Sequence, residues 1–187
     1  MVKHTQYLTR EQLQAGLDHI SASPKEIGRL ELIVRRPRVN ERETLAEALL
    51  DLRTGLVGDT WQSRNSPRTK DGAPDPETQL TLMNSRAIAL LAQTKERWAL
   101  AGDQFFVDLD LSVTNLPPGT RLKIGSAIIE VSAQPHTGCS KFAARFGQEA
   151  LLFVNAPGGR ELRLRGLNAR VIQAGPISIG HCVEKLS

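Results

Sequence analysis

Aromatic side chains make up only 4% of this 187-residue chain. A core without them rests on Leu, Val, Ile and Ala, and 40% hydrophobic residues over this length are enough to bury one. Cysteine is rarer still, with Cys139 and Cys182 the only two. Two cysteines make no disulfide framework, which points to a reduced compartment, while a single pairing between them stays open. No apolar run approaches the roughly 18 residues of a membrane helix. The opening "MVKHTQYLTREQ" is polar where a secretory leader has its apolar region. The expected location is the cytoplasm, with no membrane as partner. There is no internal repeat, no low-complexity segment, and no flavin or iron–sulfur motif. Lys and Arg number 24 against 20 Asp and Glu, a formal +4 spread along the chain. That suits an anionic ligand and is too weak to argue for nucleic acid.

The chain opens with a helix over "LTREQLQAGLDHI", where Thr9 and Gln12 form a capping box and Leu13, Leu17 and Ile20 recur at helical spacing. "RLELIVRRP" reads as a strand closed by Pro37, and "NERETLAEALLDLRTG" tends to helix. The Pro-, Asp- and Ser-rich "NSPRTKDGAPDPET" is an exposed loop. "QLTLM" is a strand, with Asn84 or Ser85 capping a helix over "RAIALLAQTKERW". The second half is mainly β. "DQFFVDLDLSV" alternates around Val107, Leu109 and Leu111, and "TRLKIGSAIIEVSAQ" is two strands joined at Gly125-Ser126. "SKFAARFGQEALLFVN" is helical, with a stop or kink at Gly147. From Ala156 onward the pattern is strand, turn, strand, punctuated at Gly158-Gly159 and Gly175-Pro176. Short strands without a βαβ rhythm predict a mostly β, closed, largely antiparallel barrel with a few peripheral helices.

The stretch with most chemistry is "PHTGCSKF", residues 135–142. A thiolate, not a thiol, is the nucleophile or metal ligand. His136, Lys141 and Arg145 lie within a few residues of Cys139, which falls at or just before the start of a helix. Cations and free N–H groups pull a thiol pKa from about 8.5 into the range of about 3.5–7.5. Gly138 carries no side chain to block approach. Against this stand a structural cysteine, a thiol-protease dyad and a zinc site built from His136, Cys139, His181 and Cys182. No orienting signature supports the dyad, and the H-x-x-C and H-C spacings are not those of a usual zinc site.

Several pieces, in order, resemble the MOSC domain, the family named for the C-terminal domain of molybdenum-cofactor sulfurase. They are "GLVGDTW" (55–61), "QLTLM" with its helix, "VDLDLSVTNLPPGTRLKIGSAIIEVS", "PHTGC" and "RGLNARVIQAGPISIG". The likeness spans roughly residues 28 to 185 and places Cys139 where the family has its characteristic cysteine. It implies a MOSC-type β-barrel over 28–187, preceded by a helical extension over 1–27.

It also implies a role. Cys139 would ligate the metal of a molybdenum cofactor (molybdopterin), an anionic pterin, in a reductase of N-hydroxylated compounds served by a separate electron-donor protein. Alternatively, Cys139 would carry a persulfide received from a cysteine desulfurase. A barrel kept only as an interaction domain is a third reading. Lys141, His136, Thr137 and Arg145 are the expected cofactor contacts near the sulfur. Arg36 joins them from "VRRPRVNER", because Arg35 and Arg36 point to opposite faces of a strand and only one can reach the site. Asp59 would order a turn or orient a cation, and Trp61 would cover a flat pterin or pack in the core. Two departures from the family pattern are His181, where many members have Asp, and Asp108, nearest a position where the family has Asn; by that resemblance Asp108 is counted among the cofactor contacts, altered because an ionised Asp only accepts where Asn also donates.

Overall fold

The computed structural model describes residues 6–186; residues 1–5, part of the expected extension and of the polar opening, and residue 187 lie outside the described residues. Thr9 caps helix α1 (Arg10–Ala15) with the full reciprocal capping box, and α2 (Leu17–Ser21) follows after Gly16. The next elements are β1 (Ile27–Arg35), β2 (Glu43–Leu45), β3 (Glu47–Asp51), β4 (Gly55–Leu56), β5 (Leu80–Asn84), helix α3 (Ser85–Ala92), β6 (Phe105–Asp108), β7 (Arg121–Ile124) and β8 (Ala127–Val131). Helices α4 (Ser140–Phe146), α5 (Gln148–Asn155) and α6 (Pro157–Glu161) lead to β9 (Leu167–Gln173), β10 (Gly175–Ser178) and β11 (Cys182–Leu186).

Seven strands close on themselves in the order β1, β11, β7, β8, β9, β5, β6. All neighbours are antiparallel except β5 and β6. β2 extends the far end of β1, and β10, β3 and β4 form a separate small sheet. The expected mostly β barrel with peripheral helices is the fold observed.

Strand alternation divides the core in two. Phe105 and Val107 of β6 point into the barrel with Leu80, Leu82, Ile124, Ile129 and Ala169. Phe106 and Met83 point outward into a second cluster with Trp98, Phe142, Phe146 and Leu13, roofed by the helices. Strands buried on both faces lose the apolar/polar alternation, and β5 is buried throughout. Each large apolar side chain so buried contributes about 1.5–3 kcal/mol.

Three expectations fail locally. The stretch 40–55 is not helical. Glu43–Leu45 pairs with β1, and Glu47–Asp51 lies between β10 and β4, so strand pairing overrides the helix propensity of Glu, Ala and Leu. The helix after Asn84 stops at Ala92, where Gln93 turns left-handed (φ 63°), and residues Lys95–Ala101 form a 3-10 segment. Gly158-Gly159 is not a turn between strands but the body of α6, with Pro157 in its first turn and Gly159 so close to the Phe153 carbonyl that a Cβ would sit 2.3 Å from it. The break at Gly147 is present, at φ 95°.

Asn84 ties the halves of the core together. Its side-chain oxygen accepts from the Arg86 and Ala87 N–H groups, and its nitrogen donates to the Ser23 hydroxyl and the Leu109 carbonyl. Asn84→Ala removes a helix cap and leaves buried groups unpaired. It is expected to cost about 2–4 kcal/mol, seen as a lower denaturant midpoint at unchanged slope; a loss under about 0.5 kcal/mol contradicts this role.

Candidate functional site

A cleft of about 730 Å³ opens where β1 ends and β5, β6 and β9 begin, bounded by the loop after β8 and the loop carrying residues 60–78. Thr81 and Asn168 stand opposite each other in register and line it. Their neighbours Leu80, Leu82, Leu167 and Ala169 fill the barrel interior, so the cleft lies on the barrel's outer face.

Two buried carboxylates hold its floor. Asp59 accepts from the Arg36 main-chain N–H at 3.0 Å, from Nε at 2.8 Å and from Nη2 at 2.7 Å. The same carboxylate caps the 3-10 turn at Thr60–Ser63 by accepting from the Trp61 N–H, so it both orders the turn and orients a cation. Arg36 Nη1 also reaches the Gly102 carbonyl at 3.0 Å. Arg35 points the other way, to Glu43, as strand alternation requires.

Asp103, fully buried, takes Arg165 Nη1 at 2.6 Å on one oxygen and His136 Nε2 at 2.9 Å on the other. Arg165 donates also to the Ala101 carbonyl and lies 5.0 Å over the Phe142 ring. Gly166 makes this approach possible, since its φ of 107° is left-handed and a Cβ would lie 2.1 Å from the Leu82 carbonyl.

Burial opposes ionisation of Asp103, but Arg165 and then His136 outweigh it and hold the carboxyl below its ordinary range. Burial, followed by the Arg165 charge, pushes His136 below the usual imidazole range, against the pull of Asp103. With Asp103 already neutralised by Arg165, a protonated imidazole would add an uncompensated positive charge beside Arg165 in a half-buried site, which favours the neutral ring. The sequence reading placed a cation there; the imidazole instead hydrogen-bonds a buried carboxylate.

Around the cleft positive charge predominates. Seven arginines (Arg36, Arg38, Arg42, Arg64, Arg68, Arg145 and Arg165) and Lys141 line the cleft, with Asp75 the only lining acid among the described residues. Arg42 Nη2 and Arg145 Nη1 converge over Gly102, at 3.6 and 3.8 Å from where its Cβ would stand. Burial first, then Arg145 and Arg36, hold the half-buried Arg42 below the usual guanidinium range. Three donors in the walls have no protein partner: Arg165 Nε and Trp61 Nε1, on residues 8% and 6% exposed, and Nε of the half-buried Arg42.

Cys139 lies at the exposed edge of the cleft as the N-cap residue of α4. Its sulfur takes no capping hydrogen bond, so the Phe142 and Lys141 N–H groups act on it as nearby dipoles. Partial burial raises the thiol, but those dipoles and the charges of Arg165 and Lys141 outweigh it and bring the pKa below its ordinary value. Thr137 also lines the cleft.

The structure thus brings Cys139, Lys141, His136, Thr137, Arg145, Arg36 and Trp61 to one cleft, with Asp59 beneath. It does not bring Asp108, which pairs with Arg86 at 2.7 Å and does not line the cleft. The alternation of β6 turns it away from the barrel core but toward α3, not toward the sulfur. His181 is also remote; its Nδ1 accepts from the Ser178 N–H within a turn. Both cysteines are free, so the open pairing does not form. Among the described residues no three His, Cys, Asp or Glu gather to hold a metal, and no helix is long and apolar enough to cross a membrane. Sequence reasoning missed Asp103, Arg165, Arg64, Arg68, Thr81 and Asn168. Arg165 opens the quoted stretch "RGLNARVIQAGPISIG" and Arg64 lies three residues past "GLVGDTW", but nothing local marked them.

No family model and no curated protein matches the chain. Solved structures do. The YuaD protein of Bacillus subtilis superposes with a TM-score of 0.61 at 14% identity, over 85% of this chain and 95% of that one. YiiM of Escherichia coli gives 0.55 at 22% identity over 85% and 70%, and YiiM of Geobacillus stearothermophilus 0.56 at 16% over 86% and 75%. The fold is MOSC-like. At these identities the likeness speaks for the fold, and the chemistry rests on the cleft itself.

The resistance of the half-buried His136 to protonation has a measurable consequence. In the unfolded chain a histidine takes up a proton near pH 6.5, while the folded site resists it, so stability falls as pH drops below about 6.5. The slope attributable to one such proton reaches at most about 1.4 kcal/mol per pH unit. Asp103, held below its unfolded value, loses its contribution only below about pH 4, outside this window. His136→Gln is expected to flatten the decline between pH 7 and 5 in denaturation midpoints; an unchanged slope contradicts the assignment.

Proposed function

We propose that the protein binds an anionic, phosphate-bearing pterin–molybdenum cofactor in this cleft, with Cys139 as its thiolate ligand. What supports the reading most is a single arrangement: an ionisable, exposed cysteine at the edge of a cleft lined by eight cationic side chains, with three buried, unpartnered N–H donors in its walls. Like charges crowded as Arg42 and Arg145 are repel one another until an anion lies between them, and Arg pairs with phosphate through parallel hydrogen bonds.

The residues present fit such a group. Arg42 and Arg145 offer a seat for the phosphate, and Trp61 offers an edge and an N–H to a flat ring. Arg165 Nε and the polar Thr81 and Asn168 supply further hydrogen-bonding positions on the wall. A soft thiolate suits a metal that favours sulfur. When bound, the cofactor would supply two-electron redox chemistry at molybdenum. The chain's own part is to hold the sulfur ionised through Lys141 and the first N–H groups of α4, to neutralise the phosphate, and to keep His136 uncharged beside the site. The resemblance to the MOSC family adds the reaction class, reduction of an N-hydroxylated compound with electrons from a separate protein.

The test is molybdenum and pterin content of protein purified from a host that makes the cofactor. About one of each per chain is expected. Cys139→Ala should lose most of the metal, and the double variant Arg42→Ala, Arg145→Ala should lose both, with a drop of tenfold or more. Wild-type protein without metal or pterin, but with an added sulfur on Cys139 after incubation with a cysteine desulfurase and cysteine, replaces this reading with that of a sulfur carrier. Neither cofactor nor added sulfur overturns both.

A further inference from the structure

A second cavity, of about 340 Å³, lies behind the cleft, and the loop residues Pro135, His136 and Thr137 line both. This volume sits at the low end of the range of about 300–1,000 Å³ for small-molecule sites. Its walls are mixed in a particular way. Val113, Pro118, Val154 and Leu167 present an apolar surface, while no lining residue among those described is acidic. Ser132 also lines it; the residue is 6% exposed and its hydroxyl has no protein hydrogen-bond partner.

Two cations flank the apolar walls without a carboxylate among the described residues to neutralise them. Arg163 donates one nitrogen to the Leu111 and Leu116 carbonyls at 3.3 and 2.6 Å and forms no ion pair there. Arg160 is exposed and lines the same cavity. Burial holds Arg163 below the usual guanidinium range. A buried hydroxyl left unpaired is costly, and such groups in native proteins are otherwise satisfied. An apolar pocket with one orphan hydroxyl and two uncompensated guanidiniums recognises a defined chemistry.

We propose that this cavity is a second ligand site, for a small organic anion with an apolar body and a carboxylate-like head, bound by the Ser132 hydroxyl and Arg160. The body packs against Val154 and Leu167, and the head accepts from Ser132 while Arg160 and Arg163 neutralise its charge. The inference stands on this cavity alone and does not depend on what fills the cleft.

Sodium benzoate is the probe, with benzamide as the neutral counterpart of the same shape. Each is titrated into the full chain at constant ionic strength, and backbone amide shifts are followed by NMR. Benzoate is expected to give saturable shifts at Ser132, Val154 and Leu167, with benzamide several-fold weaker. Ser132→Ala should weaken benzoate about tenfold, the scale of one hydrogen bond to a charged group. Arg160→Gln, on the surface and without structural contacts to lose, should weaken benzoate about threefold and leave benzamide unchanged. Shifts that gather on Lys141 and Arg145 instead, an absence of saturation, or affinities indifferent to both substitutions overturn the proposal.

Discussion

A carboxylate out of reach of water, Asp103, is the constraint on which the cleft depends. Its two oxygens grip side chains from two different loops, Arg165 ahead of β9 and His136 after β8. An ion pair this deep gains little net energy as a pair, because desolvation offsets attraction, yet removing one partner strands a buried charge at about 3–5 kcal/mol. The cluster therefore acts less as a source of stability than as a specification. Only one arrangement of the loop at 135–139 keeps Asp103 paired, and that arrangement carries Cys139 to the edge of the cleft. Asp59 plays the same part on the other side, where three hydrogen bonds hold Arg36 and a fourth starts the turn bearing Trp61.

Because the two floor carboxylates are already matched to Arg36 and Arg165, the remaining cations have few partners among the described residues: Asp75 lies 3.9 Å from Arg68 and Glu41 3.8 Å from Arg38, both at long range. The chain's whole formal excess is only +4, yet eight cations line this one cleft against a single lining acid among the described residues, Asp75. A field focused in this way attracts anions and favours the ionised form of a thiol within it. The sulfur and the arginines are thus linked, since the charges that recognise a phosphate also lower the barrier to a thiolate.

What was legible in the sequence was local. The Thr9 capping box, the Asn84 cap, the Gly147 break and the turn at Gly125-Ser126 are each decided within a few residues, and each appears as read. Strand alternation correctly divided Arg35 from Arg36. The failures come from partners far along the chain. Residues 43–51 have helical composition but are captured by β1 and β10. Arg64 and Arg165 look like ordinary surface cations until the loop and β9 bring them beside Arg36 and Asp103. Asp108 was assigned by resemblance, and a single ion pair to Arg86 takes it elsewhere. His136 was counted as a charge because its residue type and position suggested one; its protonation state is set by Asp103, 33 positions earlier.

The most direct measure of the account is the rate at which iodoacetamide alkylates Cys139 at pH 7 as inorganic phosphate is raised at constant ionic strength, with Cys182→Ser as background. The account predicts saturable protection of the sulfur, lost in the Arg42→Ala, Arg145→Ala double variant. An alkylation rate indifferent to phosphate, or protection that survives loss of both arginines, would contradict the claim that sulfur and cations form one anion-binding site.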